Sequence, residues 1–254
     1  MTDHAVATRA DWLVARKALL EREKALTRAR DALRAERQAL PWVRVEKDYV
    51  FEGPQGKLAL GDLFEGRSQL IVQHFMFAPD WTEGCPGCSL TADHVDGARR
   101  HLEPRGVSFA AVSRAPWSRI APFKARMGWG FRWVSSFGSD FNFDFGVSFT
   151  PQEMASGEAT YNYAPCVPDG EDYGGTSAFF RDDDGTVFHT YSTYARGDEA
   201  MMGVYAYLDI APLGRNENGP RGDLGDWVRH HDRYDQTAAV HACCGAATNG
   251  KDKG

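Results

Sequence analysis

The chain has 254 residues, 43% of them apolar and 25% charged, with a formal net charge of −6. This is the composition of a soluble globular protein long enough for one well-buried domain with attachments, and its negative balance argues against nucleic acid as a partner. The longest apolar stretch, "LIVQHFMFAP" at 70–79, contains Gln73 and His74 and is far too short to span a bilayer, so no membrane partner is expected.

Residues 1–20 carry Asp3, Arg9, Asp11 and Arg16 in place of an unbroken apolar core. No secretory signal is read, and a cytoplasmic location is expected. Five cysteines, an odd number, do not suggest a secreted disulfide framework. In a reducing compartment a Cys-x-x-Cys pair is more often catalytic or metal-binding than structural.

In chain order, residues 8–40 lack Gly and Pro and are rich in Ala, Leu, Arg, Lys and Glu, which predicts a long helix ended by Pro41. Trp12, Leu19, Leu26, Leu33 and Leu40 recur every seven residues, but the companion seam of Ala15, Arg22, Ala29 and Glu36 is poor. A two-stranded coiled coil needs both seams apolar, so the helix is expected to lie along a domain surface, its own or a second subunit's. Residues 8–40 hold nine Lys or Arg against five Asp or Glu, leaving −10 for the rest. A basic arm docked on an acidic body, in a homodimer, is the expected arrangement.

A β-hairpin around "GPQG" follows, then the strand "SQLIVQHFMF", the loop "APDWTEG", and a helix over 86–103 that starts at Cys85-Pro-Gly-Cys88. Next come a strand at 107–115, a helix from Pro116 to Met127, a short strand at 131–138, and an irregular aromatic stretch to about residue 175. "SAFFRDD" and "DGTVFHTYSTY" flank an Asp-Gly turn, a strong hairpin signal. A closing helix is expected over Glu199–Asp209, and the tail "TNGKDKG" is expected to be disordered.

A strand, Cys-x-x-Cys at a helix start, a crossover to a parallel strand, another helix, an antiparallel hairpin and a last helix resemble the thioredoxin order. The implied class is α/β, a central mixed sheet flanked by helices. Over most of its length, in "HFMFAPDWTEGCPGCS", "AVSRAP", "MGWGFRWVSSFGSDFNFDFGVSF" and "DGTVFHTYSTYARG", the chain also resembles an uncharacterised bacterial thioredoxin-like family of predicted dithiol-disulfide oxidoreductases. The expected organisation is a helical arm over 1–41, a thioredoxin-like domain over 42–212, and a partly disordered extension over 213–254. Thioredoxins carry a cis-proline before the third strand; here "GGTSAFF" puts Thr176 or Ser177 in that place. A non-proline cis bond is costly, so a trans peptide is expected, with Thr176 and Ser177 in an altered substrate groove and Trp81 shielding the site. Gly84 stands where thioredoxins usually have tryptophan.

Cys85, at the helix N-cap or just before it, meets unsatisfied N–H groups and the positive end of the dipole, which favour a thiolate. It is the expected nucleophile, with Cys88, one turn in, as resolving thiol. Pro86 suits the first helical position, and Gly87 lets a substrate backbone come close. His74, placed beside the buried acid of thioredoxins, is the expected base for Cys88; the alternative is a core histidine. His189 can face the same pocket. His94 and His101 read as surface residues.

The expected function is thiol-disulfide exchange with a disulfide-containing protein or a small thiol substrate, without a cofactor. "PDWTEGC" also resembles the peroxiredoxin Pro-x-x-x-Thr-x-x-Cys, with Pro79 one residue too close to Thr82 and Arg114 or Arg181 as the only candidate arginines. A thiol peroxidase is thus one alternative. The other is non-enzymatic copper or zinc binding by His241, Cys243 and Cys244 in "VHACCG". Cys166, alone in "YAPCVPDG", reads as a small buried side chain or a third redox thiol. His230 and His231, in "WVRHHDRY", read as part of a docked amphipathic segment.

Overall fold

A computed structural model describes residues 4–234. The chain divides into two units, Met1–Trp42 and Val43–Gly254. The first is helix α1, Arg9–Gln38, capped by the Thr8 side chain, which accepts the Asp11 N–H. It contains no buried residue, and Trp12, Leu19, Leu26, Leu33 and Leu40 are each 45–53% exposed. With no core of its own, the helix rests on its composition and on exposed pairs such as Lys24–Glu21 at 2.9 Å, each contributing a few tenths of a kcal/mol, roughly.

The second unit is built on an eight-stranded mixed sheet. Its centre is three parallel strands, β4 (Gln69–His74), β5 (Val107–Ser113) and β6 (Arg132–Ser135). The crossovers carry α2 (Pro86–Asp93) with α3 (Val95–Leu102), and then α4 (Trp117–Arg126). Hairpin β2–β3 (Val50–Gly53, Gly56–Ala59) pairs antiparallel with β6 on one side. On the other side β9 (Gly175–Arg181) pairs antiparallel with β4 and β10 (Val187–Tyr194) with β9; β1 (Val43–Arg44) completes that edge. The fold is thioredoxin-like, with a long N-terminal helix as expected. Among the described residues no peptide bond is cis, so the Gly175–Ser177 stretch is trans.

Strand alternation divides the core between the two faces of the sheet. On one face Phe75, Phe109, Ala111 and Trp133 pack with Ile120 and Phe123 of α4 and Ala92 of α2. On the other, Leu70, Val72, Ala110, Val112, Val134 and Phe179 pack with the 3-10 turn Leu60–Phe64 and with Phe141 of α5 (Phe141–Asp144). The irregular aromatic stretch also contains α6 (Pro151–Ser156) and a small hairpin, β7 (Ala159–Tyr161) with β8 (Ala164–Cys166).

Two expected helices are broken. The 86–103 helix divides at His94, whose Nδ1–H donates to Leu90 O at 2.7 Å while Nε2 accepts the Val204 N–H at 3.0 Å. A side chain turned back onto its own helix and tied elsewhere is a recognised cause of such a break, and His94 is thus a structural link. The closing helix is a 3-10 turn, Ala195–Met201, followed by α7, Gly203–Leu208.

Candidate active site

Pro86 takes the first position of α2 and Cys85 is its N-cap, at φ −57° and ψ 130°. Proline is tolerated there because that N–H has no helical partner. The Cys85 N–H donates to Met76 O at 3.0 Å, and the Met76 N–H donates to Cys88 Sγ at 3.4 Å. Gln73 Nε2 donates to Cys88 O at 2.9 Å. The chain after β4 therefore clamps the dithiol at both residues. Gly84 is required by packing: a Cβ there would stand 2.5 Å from Phe75 and 2.9 Å from Phe123, so the tryptophan found here in thioredoxins has no space.

Both cysteines are free, half-buried thiols, but they are electrostatically unequal. The Cys88 S–H donates to Cys85 Sγ; with the Gly87 and Cys88 N–H groups it outweighs burial and lowers Cys85 from 9.0 to about 7. Cys88 is pushed well above its ordinary value by that same hydrogen bond, by burial and by the Cys85 charge. Near neutral pH Cys85 therefore ionises first, while Cys88 keeps its proton.

A residue not singled out from the sequence completes this environment. Asp198, in the turn after β10, is 9% exposed and its Oδ1 has no hydrogen-bond partner. Burial raises its carboxyl from 3.8 to about 7, with the Thr176 hydroxyl acting in the opposite sense. Its charge contributes to the upward shift of Cys88. Tyr161 is raised to about 12, first by burial and with smaller contributions from Asp198 and Cys88. Its hydroxyl donates to Gly174 O at 2.8 Å and accepts the Ala195 N–H at 3.0 Å. A Cβ on Gly174 would lie 3.6 Å from Cys88 Sγ, so Cys88 backs onto Gly174.

The sequence-selected residues fall on both sides of the sheet. Thr176, opposite Gln73 in the register, shares the dithiol face and touches Asp198. Ser177 and His74 belong to the other face. His74 Nε2 is 2.7 Å from Ser177 Oγ, Ser177 Oγ is 2.7 Å from Ser192 Oγ, and Ser192 Oγ is 2.7 Å from His189 Nε2. The His74 ring lies against Phe141 and Phe145, with centroids 5.5 and 5.6 Å away, and burial lowers its pKa from 6.5 to about 3. His74 and His189 thus share one network, as the strand pattern allowed, but that network does not meet the dithiol. On this geometry His74 is the core histidine of the two readings, and on the dithiol face the buried carboxyl is that of Asp198.

A cavity of about 250 Å³ opens at Cys85, with Trp81 on its wall and Arg229, His230 and Arg233 contributed by the C-terminal segment. His230 Nε2 donates to Gly84 O at 2.8 Å and Nδ1 accepts from Arg126 at 2.9 Å. Glu83 is paired with Arg126 and Arg233. Leu224 lies over Gly87, where a Cβ would meet it at 3.0 Å; the space assigned to a substrate backbone is filled by the chain itself. A larger cleft, about 920 Å³, lies near His189, Phe145 and Tyr163 and includes neither cysteine.

Arg114 is engaged by Asp172 at 2.6 Å and Glu171 at 3.0 Å. Arg181 donates to Gly61 O and Arg67 O. Neither arginine is free in the way the peroxidase reading requires. Thr82 is an exposed loop residue, and Cys166 pairs with Ala159 in the small hairpin. Among the described residues no group of three His, Cys, Asp or Glu is placed to hold a metal, and no helix is long and apolar enough to cross a membrane. His241, Cys243, Cys244 and the tail lie outside the described residues.

Fold and site together define a thioredoxin-like α/β protein with a Cys-x-x-Cys at the start of a helix. The chain belongs to the family described as "Bacterial protein of unknown function (DUF899)", which matches residues 1–234. No curated protein matches it. Among solved structures it is similar to peroxidoxin BcpB from Mycobacterium tuberculosis, at 16% identity and a TM-score of 0.45, covering 65% of this chain and 92% of that one. It is also similar to a Xanthomonas campestris bacterioferritin comigratory protein, at 15% identity and 0.42, covering 66% and 96%. A third is a thiol:disulfide interchange protein, DsbE, from Chlorobium tepidum, at 15% and 0.38, covering 65% and 95%.

Proposed function

We propose that the protein is a thiol-disulfide oxidoreductase using Cys85 and Cys88. The observation that carries this reading is the arrangement at the start of α2, where Cys85 is the N-cap, Cys88 lies one turn in, and Met76 is hydrogen-bonded to both; the Cys88 thiol lowers Cys85 toward neutrality. In the reductive direction Cys85 Sγ attacks one sulfur of a disulfide. The substrate S–S bond breaks, one half departs as a thiolate that takes a proton from water, and a mixed disulfide forms on Cys85. Cys85 then no longer carries charge, and the two interactions that kept the proton on Cys88 are lost. The buried Asp198 carboxylate accepts that proton. Cys88 Sγ attacks Cys85 Sγ, the second half leaves, and the dithiol has given two electrons to the substrate. With oxidised protein and a dithiol partner the same steps run in reverse.

The reading is tested by equilibrating the protein in glutathione buffers of graded poise and following loss of two hydrogens from the Cys85–Cys88 peptide by mass spectrometry. A midpoint between about −270 and −120 mV is expected, the span of thioredoxin-like dithiols. Absence of a Cys85–Cys88 disulfide across that span, or full exchange activity in Cys85→Ser, would refute the assignment. Consumption of hydrogen peroxide by Cys85 far faster than by a free thiol would instead favour the peroxidase alternative.

A further inference from the structure

The cavity at Cys85 restricts what can reach the sulfur. It is closed on one side by Trp81 and on another by the C-terminal segment, in which Leu224 and Val228 pack with Leu90 and Tyr205. Two contacts hold that segment against the dithiol loop, His230 to Gly84 O and Arg233 to Glu83, and Asp232 pairs with Arg126 of α4 at 3.0 Å. With Leu224 over Gly87, an extended protein chain cannot lie along the start of α2 as the sequence reading supposed. The volume of about 250 Å³ suits half of a small disulfide.

The lining is cationic. Two arginines, Arg229 and Arg233, line the cavity beside one carboxylate, Glu83, which is already shared by Arg233 and Arg126. Among the described residues Arg229 pairs with no carboxylate; its Nη1 donates to Val228 O at 2.8 Å. A planar guanidinium with unused donors beside a reactive sulfur is matched by a carboxylate on the incoming group.

We infer that the substrate is a low-molecular-weight disulfide bearing a carboxylate, seated by Arg229 in the cavity that Trp81 and His230 enclose at Cys85. The inference rests on the exchange reading above and names its substrate class. Cys85 attacks the near sulfur, the far half leaves as a thiol, and the two electrons come from the Cys85–Cys88 dithiol.

The experiment is single-turnover oxidation of pre-reduced, full-length protein, freed of reductant, by oxidised glutathione, which carries carboxylates, and by cystamine, which has only ammonium groups. Each rate is divided by that of a free small thiol under the same conditions. The parent protein is expected to prefer oxidised glutathione. Arg229→Gln should lower the glutathione-to-cystamine ratio about fivefold, the upper range for an exposed ion pair, and Arg229→Lys should retain most of it. Raising salt should erode the preference in the parent. A ratio unchanged in Arg229→Gln, or rates falling equally for both disulfides, would overturn the inference while leaving exchange intact. Failure of the parent to react with either disulfide would overturn the exchange reading itself.

Discussion

Replacing Cys88 by Ala removes the group that does most to hold the Cys85 pKa low. With Cys85 near 7 instead of 9.0, about half of it is thiolate at pH 7 instead of about 1%, a gain of about fifty-fold. The more acidic sulfur is a weaker nucleophile, and a Brønsted slope of about 0.45 returns about eightfold of that gain over two pH units. The net advantage at pH 7 is therefore only about sixfold, and rate at one pH is a poor readout. The midpoint of the rate–pH profile is the sensitive one. Cys88→Ala should raise it by about one unit, not two, because the N–H groups of Gly87 and position 88 remain. Cys88→Ser, which keeps a hydroxyl donor, should hold it within about half a unit of the parent. The assay is iodoacetamide alkylation of reduced protein from pH 5 to 10, with the Cys85 peptide quantified by mass spectrometry. A midpoint unmoved in Cys88→Ala, or Cys88 alkylated before Cys85 in the parent, would refute the account of how the outer thiolate is made.

Asp198→Asn should slow release of a mixed disulfide from Cys85 by about a hundredfold, the lower range for loss of a general base, measured by quenching single turnovers; an unchanged rate removes Asp198 from the mechanism. His74 should make the fold acid-sensitive. Its native pKa of about 3 lies below the ordinary 6.5, so its contribution is complete above 6.5 and is lost as pH falls toward 3. Between pH 7.5 and 4 that amounts to about 3 kcal/mol, read by urea unfolding, and His74→Gln should flatten this part of the profile. We also predict a homodimer that depends on α1, whose Trp12-to-Leu40 stripe is about half exposed. Light scattering should show a dimer for the full chain and a monomer after deletion of residues 1–40; a monomeric full chain, or an unchanged dimer after the deletion, would refute it.

Much of the fold was legible because its signals are local. A run without Gly or Pro, hairpins at "GPQG" and Asp-Gly, and Cys-Pro at a helix start each act over a few residues. The helix breaks were not legible because they depend on distant partners. His94 fits a helical pattern, and only the Val204 N–H, 110 residues away, makes its inward turn worthwhile. Gly87 was read as open space for a similar reason. Leu224, which fills that space, arrives from a segment with few apolar residues, whose packing on Leu90 and Tyr205 no periodicity announces.

The site itself turned on parity. In a strand, consecutive residues point to opposite faces, so His74 and Gln73 cannot both face the dithiol. Gln73 does, through Cys88 O, and that sends His74 toward Val72, Phe141 and Phe145. The same alternation carries through the pairing of β4 with β9, which puts Thr176 opposite Gln73 and Ser177 opposite Val72. In β10, Thr193 pairs with Thr176 and Ser192 with Ser177. The register thus delivers the acid: following the dithiol face across Gln73, Thr176 and Thr193 leads to the turn that carries Asp198. Gly197 permits that turn, since a Cβ there would collide with the Thr193 side chain. The buried acid proposed as the base for Cys88 is reached by tracing which residues share a face across three strands, a path that runs over 100 residues along the chain but only two strand spacings, about 10 Å, through space.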